Sequence, residues 1–128
     1  MKEIFEGKTV LITGPTSGIG YALTRKIAAF GARLILVSRN LKSLEKLQQE
    51  LKQEFSADIS VFAVDLSWVG AAEQLISTLK TSEMAVDIFI NNAGYGVYGN
   101  FSEQALAPQL GMIELHITNP TKLTHAFL

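Results

Sequence analysis

A chain of 128 residues with 48% hydrophobic content is long enough for one domain with a substantial core, burying roughly two-thirds of the surface that the unfolded chain exposes. Its 11 basic and 12 acidic residues leave a net charge of −1 with no basic cluster, which argues against a nucleic-acid surface, and the absence of cysteine excludes disulfides, a thiolate nucleophile and a cysteine metal site. No apolar run reaches membrane-spanning length, and the charged start Met1-Lys2-Glu3-Ile4-Phe5-Glu6 is not a signal peptide, so the default expectation is a soluble, cytoplasmic protein.

The first apolar run, Thr9 to Ile12, reads as a strand. It leads into Thr13-Gly14-Pro15-Thr16-Ser17-Gly18-Ile19-Gly20, and a helical pattern from Ile19 to Phe30 follows. Strand, glycine-rich turn and helix in that order make a phosphate site. Glycines let the backbone turn sharply and approach a ligand, while the first N–H groups of the helix and its dipole point at an anion. A tight turn with no ligand is the alternative reading. In the helix, Ile19, Leu23 and Ile27 are expected to form the buried stripe, with Gly31 as its C-terminal cap.

Strand two is expected at Leu34 to Val37. Helix two carries Leu41, Leu44, Leu47, Leu51 and Phe55 at helical period, with Lys42, Glu45, Lys46 and Glu50 as a solvated face. Strand three covers Ile59 to Val64, and either Asp65 or Ser67 is placed to cap the next helix. That third helix has Ala72, Leu75, Ile76 and Leu79 on one side. Strand four, Asp87 to Ile90, ends in Asn91-Asn92-Ala93-Gly94. A glycine- and aromatic-rich loop runs from Tyr95 to about Ala107, and a last helix is expected from about Pro108. Four alternating strand–helix units with nearly continuous apolar strands predict an α/β fold, a Rossmann-type doubly wound parallel sheet. No repeat or linker interrupts it, so residues 1–128 read as a single unit.

The end of strand two bears on the choice of dinucleotide. An NAD site usually has an acid there, about 20 residues past the glycines, to bond the ribose 2′-hydroxyl. This chain has Ser38-Arg39-Asn40. An arginine suits a 2′-phosphate, which it can grip with two hydrogen bonds, so NADP(H) is favoured over NAD(H). The alternative is an Arg39 that merely decorates the turn. Asp65 falls where an adenine ring would pack, a role compatible with capping. The Asn91 to Gly94 run falls at the switch point of the sheet, where ligands bind, or else is a turn held by asparagine side chains.

In their order and spacing, Thr13-Gly14-x-x-x-Gly18-Ile19-Gly20, Asp65-Leu66 and Asn91-Asn92-Ala93-Gly94 resemble the motifs of the short-chain dehydrogenases/reductases. The likeness extends over essentially the whole chain but only over the first half of that family's domain, stopping before its fifth strand. The resemblance implies an oxidoreductase that transfers hydride between a nicotinamide and a carbonyl or alcohol. It implies that Gly14, Ser17, Gly18, Ile19 and Gly20 hold the pyrophosphate, with Thr16 of the same turn also at the cofactor, and Arg39 the 2′-phosphate. Asp65 and Leu66 would flank the adenine, and Asn92, Ala93 and Gly94 would line the nicotinamide ribose.

The family's Tyr-x-x-x-Lys does not occur here. The nearest match, Tyr21-x-x-x-Arg25, falls in the first helix and is assigned to cofactor binding or packing; Tyr95 and Tyr98 have Gly99 and Ser102 at the fourth place. His116 stands where the family has a catalytic asparagine, whose carbonyl binds a water of the proton relay. Pro120, four residues on, cannot donate to the His116 carbonyl, so that carbonyl is expected to be free. His125 is about half a turn out of phase with His116, so the two share no metal.

These features predict the NADP(H)-binding portion of an oxidoreductase, a piece of a longer protein that does not itself carry the family's catalytic serine, tyrosine and lysine. The other class of function is a naturally short nucleotide-binding or oligomerisation module. Strand four is expected at a sheet edge, with Leu110, Ile113, Ile117, Leu123 and Phe127 of the last helix partly without neighbours. The expected partner, besides the dinucleotide, is therefore a missing C-terminal half or a second copy bound through the last helix, as the resemblance also implies.

Overall fold

The computed structural model describes residues 1–128. Strands β1 (Thr9–Thr13), β2 (Arg33–Ser38), β3 (Ile59–Ala63) and β4 (Ile88–Ile90) form one parallel sheet in the order β3-β2-β1-β4. The chain moves outward from β1 to β3, then returns to place β4 on the free side of β1, with Leu11 opposite Phe89. The switch point therefore lies between the carboxyl ends of β1 and β4, where an open α/β sheet binds its ligands.

Successive side chains of a strand point to opposite faces, and here both faces are covered. Val10, Ile12, Leu34, Leu36 and Ile59 pack on one face against Ile27 and Ala28 of helix α2 (Gly18–Ala29) and Leu44, Leu47 and Leu51 of α3 (Leu41–Phe55). Leu11, Ile35 and Val37 pack on the other against Ala72, Leu75 and Leu79 of α4 (Ala71–Thr81) and against Leu115 and Leu123 of the C-terminal helical segment. This is the doubly wound arrangement. A short helix α1 (Lys2–Phe5), which the sequence pattern does not reveal, stacks Phe5 on Phe30.

The buried face of α2 differs from the expected stripe. Gly20, Thr24, Ile27 and Ala28 face the core, while Ile19 is 75% exposed and Leu23 lies outside. The helix starts too close to the sheet for a large residue. A Cβ on Gly20 would lie 2.1 Å from the Gly14 carbonyl oxygen, and Thr24 Oγ1 donates back to the Gly20 carbonyl at 2.7 Å. Gly31, at φ +81°, follows the helix in the left-handed conformation that suits glycine there.

Glu50 is likewise not simply solvated. Tyr21 Oη donates to Glu50 Oε1 at 2.5 Å, Arg25 donates to Glu50 at 2.6 Å and to both Glu54 oxygens at 2.6 Å, and the guanidinium lies over the rings of Tyr21 and Phe55. The Tyr21-x-x-x-Arg25 pair is thereby committed to joining α2 to α3. The carboxylate of Glu50 favours the protonated phenol and holds the Tyr21 pKa above its ordinary value, the opposite of what a proton-donating tyrosine needs.

Neither Asp65 nor Ser67 caps α4, which begins later, after Gly70 at φ +84°. Asp65 Oδ1 instead accepts from Ser67 N at 2.9 Å and Ser67 Oγ at 2.6 Å, a local turn. The oxygen that a capping side chain would supply comes from far along the chain: Asn119 Oδ1 accepts from Ala72 N at 3.1 Å.

The last helix starts at Leu106, two residues earlier than expected, with Pro108 in its first turn. It runs as α5 (Leu106–Ile113), a wide π turn (Glu114–Thr118) and α6 (Asn119–Phe127). Pro120 explains the wide turn. Its ring collides with the carbonyl four residues back and it has no N–H, so the ladder opens and Asn119 N bonds to the Glu114 carbonyl five residues back. Leu123 and Phe127, expected to lack partners, are covered: Leu123 is fully buried and Phe127 packs edge-on against Phe89 at 5.4 Å between ring centres. Leu110, Ile113 and Ile117 remain about half exposed, and β4 is an edge of the sheet. No helix is long and apolar enough to cross a membrane.

Candidate functional site

The carboxyl ends of all four strands open into one cleft of about 170 Å³. Gly14, Thr16 and Ser17 form its wall after β1, and Val37, Ser38 and Arg39 its wall after β2. Val64, Asp65 and Leu66 enter after β3, Ala93, Gly94 and Tyr95 after β4, and Leu115 closes the back. Sequence-predicted residues from four separate motifs thus meet in one place.

The three glycines of the first turn have different tasks. Gly14, at φ +65°, lies so close to the β4 loop that a Cβ would be 2.9 Å from Ala93 Cα. Gly20 lets the helix start against Gly14 and Asn92. Gly18 has φ +52°, yet nothing lies within 4 Å of where its Cβ would be. Protein packing therefore requires the first two, while the space beside the third is open to a ligand. Ser17, the residue before α2, is extended and its side chain makes no capping bond. The first N–H groups of that helix are left for an anion, reinforced by the helix dipole.

Thr13 locks the ends of β1 and β4 together. Its fully buried Oγ1 accepts from both Asn92 N and Ala93 N at 3.0 Å. Asn92 Nδ2 donates in return to the carbonyls of Thr13 at 3.1 Å and Gly14 at 2.9 Å. Asn92 is thus spent on holding the turn and does not line the cleft; nor do Gly18, Ile19 or Gly20. Ile19 and Gly18 lie exposed at the start of the helix.

Arg39 lies exposed at the rim and makes no hydrogen bond or ion pair within the protein, in contrast to Arg25. Its neighbour Asn40 caps α3 by accepting from Ser43 N at 3.0 Å, which fixes the turn that carries the guanidinium. Asp65 keeps one carboxylate oxygen outside its turn with Ser67. Leu66 is buried, and its carbonyl accepts from Asn119 Nδ2 at 2.8 Å. Asn119 also donates to the Trp68 carbonyl at 2.9 Å, so this one fully buried side chain holds the segment after β3. Sequence reasoning missed Asn119. The available signal was a polar residue beside Pro120 within an apolar helical run.

His116 does not line the cleft. It lies behind the Gly94–Tyr95 main chain and borders an apolar groove with Phe101, Leu110 and Ile113. One carboxylate oxygen of Glu114, in the same wide turn, is buried without a protein partner.

Comparison with known proteins agrees with this geometry. The sequence model described as short chain dehydrogenase matches residues 8–128. A fatty acyl-CoA reductase from Acinetobacter baylyi is 38% identical over 75% of this chain and 32% of its own length. The crystal structure of L-sorbose reductase from Gluconobacter frateurii, complexed with NADPH and L-sorbose, superposes with a TM-score of 0.85 at 30% identity, over 95% of this chain and 46% of that one. A short-chain dehydrogenase from Sphingobium yanoikuyae in complex with NADPH gives a TM-score of 0.84 at 32% identity, over 94% of this chain and 46% of that one. The chain spans roughly a third to two-fifths of the length of the first several curated relatives it matches. On the family match, the motifs and the sheet together, the chain belongs to the short-chain dehydrogenase family.

Proposed function

We propose that residues 1–128 form one NADP(H)-binding unit and serve as the cofactor-binding portion of an oxidoreductase that moves hydride between a nicotinamide and a carbonyl or alcohol. The observation that carries this reading is the pairing of an uncapped helix N-terminus with an unpartnered arginine across a single cleft. The residues present fit the dinucleotide. Gly18 leaves open space for a pyrophosphate beside the first N–H groups of α2, and Arg39 offers two parallel N–H donors to a 2′-phosphate. Asp65 and Leu66 border the adenine side, and Ala93 and Gly94 the nicotinamide side. NADPH in the structures of the sorbose reductase and the Sphingobium dehydrogenase supports the same cofactor here.

When bound, the nicotinamide supplies or accepts the hydride; the residues described here bind it, orient it and set the walls around it. A non-catalytic nucleotide-binding or oligomerisation module is the second reading. It is favoured by one observation: no tyrosine stands four residues before a lysine, and Tyr21 with Arg25 is tied to Glu50 and Glu54. Calorimetric titration of NADPH into the protein and into Gly18→Val tests the site. Binding should be lost in the folded variant, because a branched side chain fills the open space and disfavours φ +52°. Equal affinity in both proteins contradicts the proposed pyrophosphate site.

A further inference from the structure

His116 Nε2 lies 2.8 Å from the Tyr95 carbonyl oxygen and 3.3 Å from Tyr95 N. A carbonyl only accepts, so the shorter contact places the proton on Nε2, which donates to it. The imidazole rests directly on Gly94: a Cβ there would lie 2.7 Å from His116 Cε1. The Tyr95 ring lies beside the imidazole, 6.4 Å between ring centres, and its Oη donates to the Pro108 carbonyl at 2.8 Å. That crossing also needs a glycine, since a Cβ on Gly111 would lie 2.6 Å from the phenol oxygen. The Gly94–Tyr95 segment is therefore stitched to the last helix twice, once through its main chain and once through its side chain.

We propose that His116 is a positioning residue for the nicotinamide-side wall of the cleft, holding the Gly94–Tyr95 main chain with its imidazole; the assignment rests on the dinucleotide reading above. Gly94 and Tyr95 line the cleft and His116 does not, so it acts through them. Asn92 anchors the residues just before to Thr13 and Gly14, whereas His116 bonds the Tyr95 end of the segment. The wide turn opened by Pro120 carries His116 to one wall and Asn119, three positions on, to the segment after β3. With Nε2–H bonded to the main chain, this nitrogen holds the wall and donates no proton to a substrate.

The test compares NADPH with adenosine 2′,5′-bisphosphate, which keeps the adenine and the 2′-phosphate but has no nicotinamide. Both are titrated by calorimetry into the parent protein, His116→Ala and His116→Gln, with thermal midpoints measured alongside. His116→Ala should bind NADPH about five- to tenfold more weakly, as for one lost hydrogen bond, and bind the bisphosphate within about twofold of the parent. His116→Gln, which also presents an N–H at the ε position, should recover most of the NADPH affinity. Equal weakening of both ligands, or no change in NADPH affinity, overturns the assignment. If His116→Ala does not fold, His116→Gln decides alone: NADPH affinity near the parent's supports the role, and a loss shared by both ligands overturns it. A parent that binds the bisphosphate but not NADPH overturns this assignment alone, whereas a parent that binds neither overturns the dinucleotide reading and the assignment with it.

Discussion

Asn119 Nδ2 donates to the Leu66 carbonyl at 2.8 Å, joining positions 53 residues apart in sequence. The same side chain donates to Trp68 O and accepts from Ala72 N, so one amide fixes the adenine-side segment and starts α4. Asn119→Ala would leave two carbonyls and one N–H short of a partner around a fully buried site. The expected loss is about 3 kcal/mol of folding free energy, read from urea denaturation. Asn119→Asp should lose more, because it buries a charge and removes both donors. A loss under about 1 kcal/mol for the alanine variant would show that water replaces the amide at little cost.

Tyr21 should titrate above an ordinary tyrosine, because the Glu50 carboxylate accepts its proton in a hydrogen bond and repels the phenolate. The sign follows directly. A raised folded pKa stabilises the fold below the unfolded tyrosine pKa, and the contribution disappears as pH climbs through the folded value. Alkaline difference absorbance should therefore lose, in Tyr21→Phe, a phenol step that lies above the ordinary tyrosine value. Loss of a step below the ordinary tyrosine value would mean that Arg25, not Glu50, dominates at the phenol.

These 128 residues should not turn over carbonyl substrates at an enzymatic rate. General acid catalysis needs a proton donor within reach; of the three tyrosines, Tyr21 is bound to Glu50, Tyr95 Oη to Pro108 O, and the exposed Tyr98 has Ser102 rather than a lysine four residues on. A panel of ketones and aldehydes with NADPH, followed by absorbance, checks this. Robust turnover by the purified chain of verified mass would show that another group acts as the acid.

Association is expected through the half-exposed Leu110, Ile113 and Ile117 and the β4 edge. Contiguous exposed apolar surface and unpaired strand groups favour pairing with another chain. Light scattering over a dilution series should show a mass that falls on dilution. A constant monomer mass at high concentration would contradict it.

The sheet was legible because its strands are apolar on both faces, a pattern that required helices on each side, and the glycine motif located the turn. The buried face of α2 was not legible. Periodicity picks large residues, so it favoured Ile19 and Leu23, whereas close approach of Gly14 and Gly20 admits only small ones. Asp65 illustrates the same limit: its type and position suit a cap, but the cap of α4 comes from Asn119, and a partner so distant leaves no local pattern. His116 was placed in sequence, yet its contact with Tyr95 depends on a wide turn whose geometry follows from Pro120 only once the helix is built.

Arg39 at the rim of the cleft should select a 2′-phosphorylated dinucleotide, and the ratio of NADPH to NADH affinity measures that contact. Arg39 has no internal partner to release, so a charge-assisted contact of about 1.5–3 kcal/mol is available to the 2′-phosphate. Calorimetry should find NADPH bound roughly ten- to a hundredfold more tightly than NADH, with Arg39→Ala removing most of the difference and leaving NADH unaffected. Equal affinities of the parent protein for the two dinucleotides would show that Arg39 makes no contact with a 2′-phosphate.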